Sequence, residues 1–499
     1  MKKVVVIGAG INGLVAANYL KKENYDVTLL EFKEHTGGAC IRDSKVINDK
    51  KIDFAYGATV LGMMPKFIFE QTGLSKNITT YCPDIPKLVY FKDDENPTKI
   101  HRNSELLENE LKNQWNENGN VKGFRRDENL VIDYIRYLYV NGKTPCIENA
   151  NKILGKKMTD LWIRGSAKNL LDHYFTSEKT KIYMGMTVIE SSPASYNEKG
   201  TAFTIPLMDS GSIFNGYWGF VKGGIWKITE ELTKINHNLG VNIKLNCNIQ
   251  SIDTESGIIH SIINNKDHST PFDKIIFCTD PKTPLKFLDN SSKLKEKDYR
   301  GSSGKLTLFF EKPVVWKKES SLESSFRFIF QENSIDSLNS SSQNSIESTK
   351  DYYPGYIQIY PDGAAQRNMG NIENFDKIIC FTKSLSFEKR SENYNDVIQN
   401  ITNELENHIL NMDDIVDNKF LAPKDLKDIF FFPEGNIDHL SMRGFQNFDQ
   451  RTFSSDPVNN FYNFLDYENI YYGGSGIFPC GSVGGTAGYM ATKNLLKDE

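Results

Sequence analysis

"VVVIGAGINGLVAANYLKKENYDVTLLE" (residues 4–31) carries the most structural information of any stretch in this chain. Two lysines precede an apolar run from Val4 to Leu20, an order that superficially matches a secretory leader. Asn12 and Asn18 interrupt that run, it falls short of the roughly 20 residues a spanning helix needs, and no small-residue cleavage pattern comes after it. Neither leader nor anchor is expected. Read by periodicity, Lys3–Ile7 is a β-branched run suited to a strand buried on both faces, and Leu14, Ala17 and Leu20 recur at helical spacing. Val27–Leu30 makes a second strand, closed by Glu31. The stretch is a βαβ unit.

The turn between first strand and helix carries Gly8, Gly10 and Gly13 in GxGxxG spacing. Gly8 permits a tight turn, Gly10 presents no Cβ to an approaching pyrophosphate, and Gly13 lets helix and strand pack closely. Unpaired N–H groups at the helix start, with the partial positive charge there, suit phosphate oxygens. Glu31 can accept hydrogen bonds from a ribose diol, and its charge disfavours a further phosphate. Strand, helix, strand and terminal acid in this order predict a dinucleotide site, against the blander reading of a glycine turn serving packing alone.

Bulk properties narrow the class. At 499 residues the chain exceeds one ordinary core, so two domains or one interleaved pair is expected. A hydrophobic content of 39% with 25% charged residues is that of a globular protein, and a formal charge of −5 offers no general attraction for nucleic acid or anionic lipid. The seven cysteines are odd in number, scattered and without a CxxC pair, which argues against a disulfide framework or zinc site and suits a reducing, cytoplasmic setting. The eight histidines show no ligand spacing, and no metal is expected.

The choice between dinucleotides rests on the residues after Glu31. In "FKEHTGGACIRD", Gly37 and Gly38 allow a second close approach to the same pyrophosphate, as in the large FAD oxidoreductases. From here the sequence resembles the amine-oxidase and phytoene-desaturase superfamily. Two distant segments carry the same resemblance: residues 216–253, "GYWGFVKGGIWKITEELTKINHNLGVNIKLNCNIQSID", with "FDKIIFCTDP" at 272–281 next, and the C-terminal "NIYYGGSGIFPCGSVGGTAGYMATKNLL" at 469–496. Within that superfamily, "RGSAKNLLDHYFTSEKTKIYMG" (164–185), "GTAFTIPL" (200–207), "WGFVKGG" (218–224) and "PEGNIDHL" (433–440) resemble the phytoene-dehydrogenase-related group, which includes carotenoid desaturases, ketolases and pyridine nucleotide-disulfide oxidoreductase domain-containing proteins. The resemblance is weakest at 80–160 and 285–425.

It implies FAD as cofactor, with the backbone near Ile249 approaching the adenine and N–H groups near Val483–Gly485 stabilising negative charge on a reduced flavin. The cofactor-contacting set so expected is Gly8, Gly10, Ile11, Asn12, Gly13, Glu31, Phe32, Gly37, Gly38, Ala39, Ile249, Gly474, Val483, Gly484 and Gly485. One departure matters: where many relatives read HPGGGV, this chain reads "FPCGSV", so a role for that histidine does not transfer to Phe478. Cys480 there is read first as a small buried hydrophobe, with covalent flavin attachment as the sharper alternative.

The motifs predict an α/β chain in which a Rossmann-like FAD-binding domain (1–75, 215–290 and 455–499) is interleaved with a mixed-sheet plus helical substrate domain (76–214 and 291–454). "ENSIDSLNSSSQNSIESTKD", residues 332–351, is rich in Ser and Asn and poor in apolar residues, which predicts a long solvated loop or a lid.

Chemistry at a flavin needs few protein acids or bases. His439 is the one catalytic candidate, against a hydrogen-bonded structural role; Arg443 would either bind an acidic substrate or form an ordinary ion pair. The clusters "FQNFDQRTF" and "NFYNFLDYENIYY" either fill cores or line an apolar tunnel. The expected function is an FAD-dependent oxidoreductase that oxidises or desaturates an apolar or allylic organic small molecule by hydride transfer. The alternatives are a flavin amine or amino-acid oxidase and a non-catalytic flavin-binding protein. Oxygen, a quinone or another carrier would reoxidise the flavin; substrate, acceptor and oligomeric state stay open, a homodimer among the choices.

Overall fold

A computed structural model of the chain describes residues 1–288, 297–348, 352–353, 355–388 and 394–497. The opening unit forms as its local pattern dictates: β1 (Lys3–Ile7), α1 (Ile11–Lys22) and β2 (Asp26–Leu30). These strands sit in a five-stranded parallel sheet with β3 (Asn242–Lys244), β4 (Lys274–Phe277) and β5 (Ile470–Tyr472), in the order β5-β4-β1-β2-β3. Val4, Val5 and Val6 are buried, as β-branched strands covered on both faces must be.

Two further helices pack on α1: α2 (Lys227–Asn238) and α3 (Thr486–Lys497). The asparagine that interrupts the apolar run has its partner here. Asn18 Nδ2 donates to Asn236 Oδ1 at 3.0 Å, Asn236 Nδ2 donates to the Leu14 carbonyl at 2.8 Å, and both side chains are fully buried. Gly488 makes the other crossing possible, since a Cβ there would lie 2.1 Å from the Asn12 carbonyl oxygen.

The second sheet has seven strands, in the order Ile415–Leu421, Gly304–Phe310, Asp376–Thr382, Tyr356–Tyr360, Phe326–Phe330, Lys87–Phe91 and Thr98–Ile100. Among these described strands only the Phe326–Phe330 and Lys87–Phe91 pair is parallel, so the sheet is mixed. Its strands come from two stretches of chain, and the helix Ser104–Trp115 packs on its Thr98–Ile100 edge. A small antiparallel meander (Cys247–Asp253, Ile258–Ile263, Lys266–Pro271) comes after β3.

The loop expected over 332–351 is corrected. Ile335–Glu347 is a helix, capped by the Ser334 side chain, which accepts from the Ser337 N–H at 3.1 Å; residues 349–351 lie outside the described residues. Ile335, Leu338, Ser342 and Ser345 are its buried face. The polar side chains that suggested solvation are used inside the protein. Asn339 Oδ1 accepts from the Ser195 hydroxyl and the Tyr196 N–H, both at 3.0 Å, Gln343 donates to the Ala194 carbonyl at 3.0 Å, and Ser342 bonds Ser384 at 2.8 Å. Composition reports how many polar groups a segment has, not whether tertiary partners exist for them.

Most of the aromatic clusters are core, Phe445 being the exposed exception at 54%. Phe453, Phe461, Tyr462, Phe464, Tyr471 and Tyr472 are each at most 2% exposed.

Candidate functional site

The first glycine turn is built around Gly8, whose φ of +98° lies in the left-handed region. Its N–H donates to the Leu30 carbonyl at 2.8 Å, which ties the turn to the end of β2. A Cβ on Gly13 would fall 1.8 Å from the Gly8 carbonyl oxygen, so α1 lies against the turn as only glycine allows. Gly10 faces the other way: a Cβ there would meet only Gly38 Cα, at 3.8 Å. The second glycine turn is fastened to the first, with the Gly37 N–H donating to the Ala9 carbonyl at 2.8 Å. Helix α1 starts with no side-chain cap and no acidic residue in its first turn, so its leading N–H groups are unclaimed. Glu31 Oε2 accepts from the Ala9 N–H at 2.7 Å and Oε1 from the Lys33 N–H at 2.9 Å, leaving each oxygen a further lone pair.

From these turns a cavity of about 630 Å³ runs between the two sheets. Gly8, Gly10, Ile11, Asn12, Glu31, Phe32, Gly37, Gly38, Ala39, Ile249, Val483 and His439 stand in its wall. Four of the expected positions do not. Gly13, Gly474, Gly484 and Gly485 lie behind the wall, where added Cβ atoms would strike the Gly8 carbonyl, the Thr279 carbonyl (2.3 Å), the Met63 carbonyl (2.8 Å) and Val15 (2.6 Å). Asn12 links the turns to the closing segment: its Nδ2 donates to Ser475 Oγ at 3.4 Å, and its Oδ1 accepts from the Gly488 N–H at 3.4 Å.

His439 adopts φ +59°, its N–H donating to the Asn436 carbonyl at 3.0 Å. Burial pushes its imidazole down to about 4, against the pull of Asp280, so the ring is neutral near pH 7. Its segment is clamped by Arg451, a fully buried guanidinium that donates to the carbonyls of Asp438 and Leu440 at 3.0 Å and to that of Ser475 at 3.3 Å. Arg443 is an ion-paired arginine, its Nε 3.1 Å from Glu198 and Nη1 3.5 Å from Asp298. Cys480 is buried with its sulfur 3.9 Å from Met63 Sδ, and it is absent from the cavity wall.

Several wall residues escape sequence reasoning. Lys305 is the second residue of the Gly304–Phe310 strand, buried at every position, and its ammonium donates to the carbonyls of Ala55, Tyr56 and Gly57, the last two at 3.1 Å. Burial drives it down to about 7, with Asp362 opposing. Glu190 is paired with the fully buried Lys383 at 3.0 Å, and Lys383 is itself pushed down to about 8 by burial. The signal available for Lys305 is a charged residue opening the run "GKLTLFF"; Glu190, in "VIESS", carries none.

A family model described as an NAD(P)-binding Rossmann-like domain matches residues 6–66. A curated relative, the 4,4'-diapophytoene desaturase (4,4'-diaponeurosporene-forming) of Staphylococcus aureus (strain COL), is 28% identical over 304 residues, covering 56% of this chain and 55% of that protein. The chain thus spans about half the length of the curated relatives it matches. Solved structures match over its whole length. Wild-type putrescine oxidase bound to putrescine superposes with a TM-score of 0.59 at 12% identity, covering 100% of this chain and 98% of the other. Cyclohexylamine oxidase from Brevibacterium oxydans IH-35A gives the same TM-score of 0.59, 12% identity and the same coverage of 100% and 98%. In sequence the chain is similar to desaturases over about half its length, and it shares over its whole length the fold of amine oxidases.

Proposed function

We propose that this chain is an FAD-dependent oxidoreductase that removes hydride from an aliphatic or allylic carbon of an organic small molecule, giving a desaturated or oxidised product. The observation that carries the reading is one continuous cavity that begins at two fastened glycine turns and reaches the segment before α3. Bound FAD would supply the hydride acceptor. In this reading residues 1–75, 215–290 and 455–499 hold the nucleotide, and 76–214 with 291–454 cover the substrate; those spans include stretches outside the described residues.

The residues present suit such a nucleotide. The unclaimed N–H groups of α1 and the open space before Gly10 fit a pyrophosphate, and the spare lone pairs of Glu31 fit a ribose diol. Ile249 would lie by the adenine, and the backbone at Val483 would face the ring. Trp218, Tyr360 and Phe381 present apolar surface to the substrate and exclude water from the reacting carbon. Neutral His439 cannot act as a fixed positive charge, but it can accept or pass a proton in the cavity wall.

A second reading draws on two of the whole-length neighbours, which are amine oxidases: oxidation of a carbon next to nitrogen. Anaerobic mixing with candidate substrates, monitored at the flavin absorbance band, separates the two. Bleaching by polyenes or other apolar compounds is expected; bleaching by amines alone, with ammonia and hydrogen peroxide formed in air, moves the assignment to the second reading. A purified protein that releases no flavin nucleotide on denaturation defeats both.

A further inference from the structure

The cavity opens to solvent beside Glu31. Phe32 and Phe431 both stand in its wall and are 59% and 50% exposed, with their rings edge to face and the centroids 6.0 Å apart. They come from different parts of the fold. Phe32 lies just after β2, and Phe431 ends the helix Pro423–Phe430, which comes after an edge strand of the mixed sheet.

Lys33 joins the two. Its ammonium donates to the Ile429 carbonyl, in the last turn of that helix, and lies 5.6 Å and 5.0 Å from the ring centroids of Phe430 and Phe431. There it meets the partial negative charge of the helix end and the faces of two aromatic rings, both attractive to a cation. The main chain of the same residues belongs to the nucleotide side. The Lys33 N–H donates to Glu31 Oε1 at 2.9 Å, and the carbonyls of Glu31 and Lys33 accept from the N–H groups of Cys247 and Asn246, each at 2.9 Å. The carboxylate assigned to the ribose diol and the strand that carries Ile249 are thus tied, through one lysine side chain, to the helix Pro423–Phe430.

Residues 429–432 are held on both sides and strained between. Phe430 is buried against Tyr56, with ring centroids 5.3 Å apart, and Glu434 pairs with Lys282 at 3.0 Å. Phe431 has a φ of +61°, its N–H donating to the Lys427 carbonyl at 2.9 Å. A helix end of that shape favours glycine, and a half-exposed benzyl group fills no core. Neither backbone nor packing calls for phenylalanine here, and strained backbone of this kind gathers at ligand clamps. The ring has its use at the opening.

We propose that residues 429–432 are a clasp, latched by Lys33, that closes the cavity over the adenosine end of bound FAD, so that the cofactor leaves only when the latch opens. The proposal rests on the reading of the glycine turns and Glu31 as the nucleotide site.

The test is the rate of FAD release from the full-length, flavin-loaded protein, read as the gain in flavin fluorescence after dilution into FAD-free buffer. Lys33→Met, which keeps the stem and loses the ammonium, is expected to release FAD about tenfold faster or more. Phe431→Gly removes the ring where the backbone suits glycine, so the fold is kept. It is expected to speed release about threefold or more, and it decides the matter if the lysine variant does not fold. In both, the absorbance band of the flavin still bound keeps its wild-type shape, because the adenosine end is the one remote from the isoalloxazine. Release at the wild-type rate in either variant that folds, or faster release with an altered band, overturns the clasp alone. A wild-type protein that takes up no FAD overturns the nucleotide reading, and the clasp with it.

Discussion

Gly13→Ala and Gly10→Ala change the same turn by one methyl group each, and the structure assigns them opposite consequences. At Gly13 the new carbon would lie 1.8 Å from the Gly8 carbonyl oxygen and 3.0 Å from its carbon, atoms of backbone that cannot rotate aside. Carbon–oxygen contacts relax at about 3.3 Å, so α1 would have to lift by roughly 1.5 Å. That lift is resisted on two sides, by the crossing at Gly488 and by the buried Asn18–Asn236 bond. We expect an overpacking cost of about 3 kcal/mol. Alanine's better helix propensity returns up to about 1 kcal/mol, leaving a net loss of about 2 kcal/mol. At Gly10 the methyl meets only Gly38 Cα at 3.8 Å, and the backbone φ of −71° suits alanine. The fold of Gly10→Ala should stay within about 0.5 kcal/mol of wild type. Its methyl enters the space assigned to the pyrophosphate, so FAD affinity should fall by about tenfold or more. Denaturant unfolding of nucleotide-stripped proteins and fluorescence titration with FAD measure the two effects apart. A Gly13→Ala protein that unfolds with the wild type, or a Gly10→Ala protein destabilised as much as Gly13→Ala, contradicts this account of the turn.

Gly10→Glu adds both bulk and negative charge at that space and should yield colourless protein where the wild type is yellow; stoichiometric FAD in the purified variant would count against the phosphate site. His439 has a folded-state value of about 4 against an ordinary 6.5, so its contribution to stability is full above pH 6.5 and is lost as pH falls toward 4. Unfolding measured across that interval should show a shallower pH dependence in His439→Gln. Lys383→Met leaves the Glu190 carboxylate unpaired beside the cavity and should cost about 3 kcal/mol, most of it recovered in the double variant with Glu190→Gln; additive losses in that cycle would exclude the coupling. Ser334→Ala removes the cap of the Ile335–Glu347 helix and should cost about 1 kcal/mol by denaturant unfolding.

Local sequence suffices for the nucleotide-type βαβ unit. The Lys3–Ile7 strand has the bounds its β-branched run predicts, because a strand buried on both faces needs little beyond its own side chains to be recognised. The glycine turns are legible for a related reason: close backbone approach is possible only where a Cβ is missing, so the requirement is written at single positions such as Gly8 and Gly13. Contacts between distant parts of the chain settle the rest. The Ser- and Asn-rich helix at 335–347 forms because Ser195, Tyr196, Ala194 and Ser384 stand ready to bond its polar side chains, and no local pattern announces those partners. The cavity wall is assembled in the same way. Glu190 and Lys305 come from distant parts of the chain, and each reads locally as an ordinary charged residue beside an apolar run. Tertiary packing and burial bring their charges to one cavity, where water screens them less.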